Sequence, residues 1–268
     1  MHAPCAEASL LSIIIPAYNE GDRIGHTLKR IFRFLHDQRI EAEVIAVNDG
    51  SHDNTGGVLA GYAARHRNMR VLENPGNRGK GYSVRNGMLN ARGDVLLFTD
   101  ADLSSPIEEA PKLLQALAQG ADVAFGSRWK EKELQKRRQS LLRQIVGRLY
   151  NLFLRAILGL PYRDTQCGFK AFTRNAAKVI FTRQRIERWG FDPEVLFIAR
   201  RFDLKLAEVP VEWAHDDRSK LSPLADGIRM GVEMLSIRWA GITGKYREPI
   251  LEFAPTQAGT VEAGKRQG

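Results

Sequence analysis

Cysteine is almost missing from this chain of 268 residues: only Cys5 and Cys167 are present, far apart. Two such residues build neither a disulfide framework nor a zinc cluster, which points to a reducing compartment. Long apolar runs are missing as well. No stretch reaches the roughly 18 uncharged apolar residues of a membrane span, and no apolar segment follows a basic N-terminal start. The chain is therefore expected to be cytoplasmic, or peripheral to a membrane. Familiar catalytic motifs are lacking: there is no G-x-S-x-G elbow and no H-E-x-x-H pair. The loop Gly76-Asn77-Arg78-Gly79-Lys80-Gly81 has neither G-x-G-x-x-G spacing nor the earlier glycine and trailing Ser/Thr of a P-loop. The six histidines are scattered, which suits surface or packing roles better than metal ligation. Negative charge is in short supply, with 31 Asp+Glu against 40 Lys+Arg and a formal net charge of +9. That excess suggests an anionic partner: nucleic acid, a phosphorylated ligand or an acidic lipid surface. No helix-turn-helix cue or aromatic-basic single-strand motif is present, so nucleic acid ranks last of these.

What is present is a globular composition, 43% hydrophobic and 26% charged, enough for one sizeable core. Leu10–Pro16, Glu43–Asn48, Met69–Glu73, Asp94–Thr99 and Ala121–Gly126 are short apolar runs rich in Val and Ile, and they read as buried strands. Between them apolar residues recur at helical spacing: Ile24, Leu28, Ile31, Phe32 and Leu35, then Val58, Leu59, Tyr62 and Ala63, then Ile107, Leu113, Leu114 and Leu117. Strands alternating with helices imply βαβ units, hence an α/β fold with a mostly parallel sheet. Ligands of such sheets bind beyond the carboxyl ends of the strands, so the residues after each strand are site candidates.

Those residues are Ala17–Glu20, Asp49–Asp53, Asn74–Gly81, Asp100–Asp102 and Ser127-Arg128. Asp100-Ala101-Asp102 stands out, because it ends the apolar run Val95–Thr99 in two carboxylates one residue apart. Mg²⁺ and Mn²⁺ prefer oxygen ligands, and one or two carboxylates often hold them against substrate phosphates. Each segment alone has a plain explanation: Asn19, Asp49 and Asp53 as Asx turns or caps, Gly79 and Gly81 as hosts for positive φ. All five together on one sheet edge argue for a site.

With these segments assembled, the chain resembles the family 2 glycosyltransferases of the GT-A fold, inverting enzymes that use nucleotide sugars. The motifs are Pro16-Ala17-Tyr18-Asn19-Glu20, Asn48-Asp49-Gly50-Ser51, Arg78-Gly79-Lys80-Gly81, Asp100-Ala101-Asp102 and Gly126-Ser127-Arg128. Asp164–Lys170, Trp189-Gly190-Phe191-Asp192, Glu208–Trp213 and Ser219-Lys220 narrow the resemblance to the dolichyl-phosphate (polyprenyl-phosphate) glucosyltransferases, with mannosyl-transferring relatives close behind. The resemblance implies a Rossmann-like three-layer α/β/α fold with amphipathic interface helices. It implies Pro16, Tyr18 and Glu20 around nucleobase and ribose, Asp49 on base or ribose, and Arg78 and Lys80 near the pyrophosphate or sugar. Asp100 and Asp102 would hold Mg²⁺ or Mn²⁺ between the two phosphates. Mannosyl relatives tend to add an oxygen from a Gln two residues after the second Asp, where this chain has Ser104. Arg128, Arg143 and Arg148 match acceptor-phosphate positions, while Gly147 replaces a serine of the mannosyl relatives. Planar guanidinium groups suit that task because they bind phosphate oxygens bidentately.

A polyprenyl phosphate acceptor changes the chemistry required. With a second ionisation near about pH 6, it is largely dianionic at neutral pH and attacks without a strong general base. Asp192 is then implied to orient sugar hydroxyls or an arginine. Its plain alternative is a helix N-cap, with Pro193 at the first helical position. Asp100, Asp102, Arg128 and Asp192 thus form the expected catalytic set. If the acceptor is instead a saccharide, Asp192 becomes the base; a silent nucleotide-sugar-binding module is the non-enzyme alternative.

Leu141–Leu160 places Gln144, Arg148, Asn151 and Arg155 on one stripe and Leu142, Ile145, Leu149, Leu152, Phe153, Ala156 and Leu160 opposite, a basic amphipathic helix suited to a membrane interface. Its bland alternative is packing on the protein's own core. Lys130–Arg138 adds cations before it. A second helix is expected over Ala225–Tyr246, with Leu224, Ile228, Val232, Leu235, Trp239 and Ile242 on one face. The expected organisation is a flexible 1–9, a transferase domain over 10–224 with an acceptor- and membrane-facing segment at 130–160, the helix at 225–246, and a disordered tail at 247–268. The expected partners are a nucleotide sugar, a polyprenyl phosphate and the cytoplasmic face of a membrane.

Overall fold

Every residue of β1 (Leu11–Ala17) and β2 (Ala42–Asn48) is buried, as strands covered on both faces require. In the computed structural model, which describes residues 10–128, 135–137, 154–214 and 223–250 (135–137 and 223–230 as backbone alone), successive side chains enter two separate cores. Ile14, Ile45 and Val47 pack on one side; Ile13, Ile15, Val44 and Ala46 pack on the other.

The remaining elements are α1 (Ile24–Gln38), α2 (Thr55–Ala63), β3 (Met69–Glu73), α3 (Lys80–Asn90), β4 (Val95–Thr99), α4 (Ala110–Ala118), β5 (Val123–Ser127), β6 (Gln135–Arg137), β7 (Phe169–Thr173), α5 (Arg174–Phe181), α6 (Phe191–Arg201), β8 (Leu206–Pro210), β9 (Trp213–Ala214) and α7 (Pro223–Ile242). Seven strands form one sheet in the order β3-β2-β1-β4-β7-β5-β8. Only β7 runs against its neighbours, and β6 pairs with β9 separately. Helices α1, α2 and α4 cover one face; α3, α5, α6 and α7 cover the other. This is the expected three-layer α/β/α architecture.

Strand boundaries at β1, β2, β4 and β5 differ from the sequence reading by one or two residues. The Ala121 N–H donates to the Ala116 carbonyl and closes α4, so β5 starts at Val123 and extends through Ser127. Pro16 lies inside β1, opposite Val47, and is buried there.

The amphipathic segments are met in part. Residues 138–153, and with them Arg143 and Arg148, lie outside the described residues, as do 215–222 and 251–268. Over 154–160 the core alternative holds: Leu154, Leu158 and Leu160 are buried with Phe172 and Phe181. Along α7 two faces diverge. Met234, Ile237 and Ala240 are buried, whereas Val232, Leu235, Trp239 and Ile242 are 62, 58, 63 and 67% exposed. Among the described residues no helix is long and apolar enough to cross a membrane.

Candidate active site

Parallel register brings the candidate segments to one edge. Ala17 pairs with Asn48 and Asn48 with Glu73, so residues 18–20, 49–53 and 74–79 leave the sheet side by side. Antiparallel β7 enters the sheet at that same edge, with Phe169 opposite Thr99. Gly168 therefore lies against Asp100, and a Cβ on it would overlap the Asp100 carboxylate.

The loops are laced together chiefly by side chains accepting from backbone. The Asn19 N–H donates to Ser51 Oγ, the Glu20 N–H to Thr55 Oγ1 at 2.7 Å, and the Gly21 N–H to Asp53 Oδ2. Buried Asp49 accepts the Arg78 N–H at 3.0 Å, the Gly79 N–H at 2.8 Å and the Asn74 amide at 2.7 Å. Its carboxylate thus builds the glycine loop. Glu20 pairs with Arg23, whose Nη2 lies 2.7 Å from Oε1. Gly79, at φ 111, opens α3 where a Cβ would come within 2.5 Å of the Glu187 carbonyl oxygen. Only glycine meets both demands.

Charged groups converge beyond this loop. Lys80 Nζ lies 2.6 Å from Asp100 Oδ1, and the rings of Phe98, Trp189 and Phe191 surround its ammonium at 5.4–5.8 Å. Burial penalises that ammonium, but Asp100, Asp192 and Asp102 more than offset it and raise its pKa. Arg78 pairs with Glu187 at 2.9 Å. Lys170 on β7 is buried, pairs with Asp192 and donates to the Cys167 carbonyl. Arg128 holds Asp164 in a fork of 2.7 and 2.9 Å, with Trp213 beneath its guanidinium. Burial works against both charges, yet their pairing wins: Arg128 is pushed up and Asp164 down. Glu208 positions that pair by accepting the Arg163 and Asp164 N–H groups and the Ser127 hydroxyl.

Asp100 suits a divalent metal. Its Oδ1 is buried and lies 2.6 Å from Lys80 Nζ. Burial raises its pKa, Lys80 compensates only in part, and Asp102 and Asp192 raise it further. The chain turns sharply after it: Leu103 sits at φ 48, its N–H donates to the Asp100 carbonyl, and the Ser104 N–H donates to Asp102 Oδ1. A left-handed leucine is a strained conformation held by its surroundings. Among the described residues no third His, Cys, Asp or Glu completes a protein-only cage. Two carboxylates with phosphate oxygens are a donor set that Mg²⁺ and Mn²⁺ accept.

The structure thus gathers Asp49, Arg78, Lys80, Asp100, Asp102 and Asp192 around one edge, with Tyr18 and Glu20 beside them and Arg128 at the neighbouring strand end. Asp192 is not an N-cap, and its charge also acts on Arg128. It is the second residue of α6, whose cap is Gly190, and its partner is Lys170. Lys170, Asp164, Glu187 and Glu194 carry charge here without having been singled out by the sequence. Lys170 and Asp164 stood within a quoted motif; Glu187 and Glu194 carried no signal, since long-range packing alone brings them in.

Residues 12–181 match the family described as "Glycosyl transferase family 2". A dolichyl-phosphate beta-glucosyltransferase of Drosophila melanogaster is 39% identical over 250 residues, covering 88% of this chain and 77% of that protein. The Homo sapiens protein of the same name is 34% identical over the same shares. Among solved structures, glucosyl-3-phosphoglycerate synthase from Mycobacterium tuberculosis, in complex with Mn²⁺, UDP-glucose and phosphoglyceric acid, has a TM-score of 0.63 at 19% identity, covering 89% of this chain and 86% of that one. Mannosyl-3-phosphoglycerate synthase from Rubrobacter xylanophilus reaches 0.64 at 18% identity, covering 90% and 76%.

Proposed function

The chain belongs to glycosyl transferase family 2, and from that premise we propose that it transfers glucose, with inversion, from a nucleotide sugar to a polyprenyl phosphate at a membrane surface. Relatives named dolichyl-phosphate beta-glucosyltransferase support the sugar and the acceptor. UDP-glucose is the donor to test first. The observation that carries the reading is the pair of carboxylates Asp100 and Asp102 just beyond the carboxyl end of β4, with Lys80 of the glycine loop against Asp100.

In this reading the Asp49-anchored loop presents Arg78 and Lys80 to the donor diphosphate, and Tyr18 and Glu20 face the nucleoside. Mg²⁺ or Mn²⁺ held by Asp100 and Asp102 would supply Lewis-acid stabilisation of the leaving nucleoside diphosphate. Arg128, oriented by Asp164, meets the acceptor phosphate together with Arg143 and Arg148. Asp192, held by Lys170, orients the sugar. Positioning and electrostatics then carry the rate, because the phosphate nucleophile arrives already ionised.

The exposed stripe Val232, Leu235, Trp239 and Ile242 supports peripheral docking of α7 on the cytoplasmic face of a membrane, its aromatic and aliphatic side chains entering the interface. Residues 10–224 then act as the catalytic domain and the helix within 225–246 as its membrane-facing element. The test is a panel of UDP- and GDP-sugars with a short polyprenyl phosphate and Mn²⁺ or Mg²⁺, followed by chromatography of the lipid fraction. UDP-glucose should give glucosylated lipid; no lipid product with any donor overturns the proposal.

A further inference from the structure

We propose that Lys80 is an internal counter-cation, which pairs with Asp100 and disfavours a divalent ion there until a nucleoside diphosphate draws it away. The inference rests on the metal site proposed above and assigns Lys80 a second task within it.

The placement of Lys80 is fixed from both sides. As the first residue of α3 it follows Gly79, whose N–H is held by Asp49 Oδ2 at 2.8 Å. Its ammonium lies among the rings of Phe98, Trp189 and Phe191 and ends on Asp100 Oδ1 at 2.6 Å. Lys170 is already committed to Asp192 and the Cys167 carbonyl, which leaves Lys80 as the lysine at Asp100. Asp100, Asp102 and Asp192 form an acidic cluster that two lysines nearly neutralise. A dication arriving alone meets an ammonium on the very oxygen it needs, and like charges repel. A diphosphate alters this balance: its oxygens offer Lys80 a new partner and the metal further ligands. Metal and nucleotide binding are therefore coupled, and the coupling is reciprocal.

The test is a Mn²⁺ titration followed by electron paramagnetic resonance of free Mn²⁺, with and without saturating UDP. In the unaltered protein UDP should tighten Mn²⁺ binding about tenfold or more, a typical coupling between two sites. Lys80→Met keeps the apolar stem and removes the charge. It should bind Mn²⁺ alone about tenfold more tightly than the unaltered protein, bind UDP more weakly, and lose most of the coupling. Lys80→Arg should restore weak Mn²⁺ binding without UDP, and Asp100→Asn should weaken Mn²⁺ binding in both conditions. Circular dichroism checks that each variant is folded. Lys80→Met binding Mn²⁺ no more tightly than the unaltered protein in the absence of UDP overturns the proposal while leaving the metal site standing. No Mn²⁺ binding by the unaltered protein even with UDP removes the metal site, and this proposal with it.

Discussion

The N-terminal side of the sheet, proposed above as the donor side, and the C-terminal side both hold carboxylates at strand and helix ends, by different means. On the donor side, Asp49 and Asp53 accept backbone N–H groups from neighbouring loops, so their charge shapes the loops themselves. On the C-terminal side, Asp164 and Asp192 are buried against Arg128 and Lys170. Glu194 is buried without a cation in hydrogen-bond contact, accepting from the Arg185 and Ile186 N–H groups and the Tyr246 hydroxyl. Backbone-satisfied carboxylates tie function to loop shape, whereas buried ion pairs tie stability to charge balance. Substitutions should therefore separate: donor-side changes chiefly weaken nucleotide binding, and C-terminal changes chiefly weaken the fold.

The largest expected effect breaks one buried pair. Lys170→Met leaves Asp192 uncompensated and should cost about 3–5 kcal/mol in urea denaturation. Lys170→Met with Asp192→Asn should recover much of that loss. A double variant no more stable than the single would break the comparison.

Next comes Glu194, whose carboxyl burial pushes up to about 7 from an ordinary 4.5, its hydrogen bonds offsetting only part of the rise. The folded state therefore binds this proton more tightly than the unfolded chain. Its contribution is greatest below pH 4.5 and is lost as the pH rises toward 7. Relative to Glu194→Gln, the unaltered protein should lose about 2–3 kcal/mol of stability between pH 5 and 8, read from denaturation at each pH.

Asp49→Ala removes acceptors from the Arg78 and Gly79 N–H groups. It should cost about 1–3 kcal/mol of stability, with a rise in donor KM exceeding any fall in kcat. A fall in kcat alone would place Asp49 outside the donor loop's work. The smallest effect on the fold belongs to Trp239→Ser, within about 0.5 kcal/mol because the ring is exposed. Its binding to anionic lipid vesicles, measured by co-sedimentation, should nonetheless fall several-fold.

Legibility follows the same division. The donor side could be read from sequence because parallel strands announce themselves as Val- and Ile-rich runs, and their following residues must share an edge. Asp100 and Asp102 were visible for that reason. Pro16 lies inside β1, which extends past it to Ala17. On the C-terminal side, β7 is a five-residue strand of mixed character, Phe-Lys-Ala-Phe-Thr, and inserts antiparallel between β4 and β5. Nothing local signals that insertion, so Lys170 and its hold on Asp192 stayed hidden. Glu187 and Glu194 act through contacts with residues distant in sequence, Arg78 and Tyr246. On α7 the amphipathic spacing was legible, and the structure separated its buried Met234 and Ile237 from its exposed Leu235 and Trp239.

The central claim is glucosyl transfer to a lipid phosphate by a site built on Asp100 and Asp102. Its most direct measurement follows radiolabelled UDP-glucose with vesicles containing polyprenyl phosphate and Mn²⁺, comparing the unaltered protein with Asp102→Asn. The expected result is a β-linked glucosyl phosphate lipid, reduced about a thousandfold in Asp102→Asn because several kcal/mol of leaving-group stabilisation are lost. Lipid product formed equally well by Asp102→Asn, or glucose released to water with no lipid product, would contradict the account.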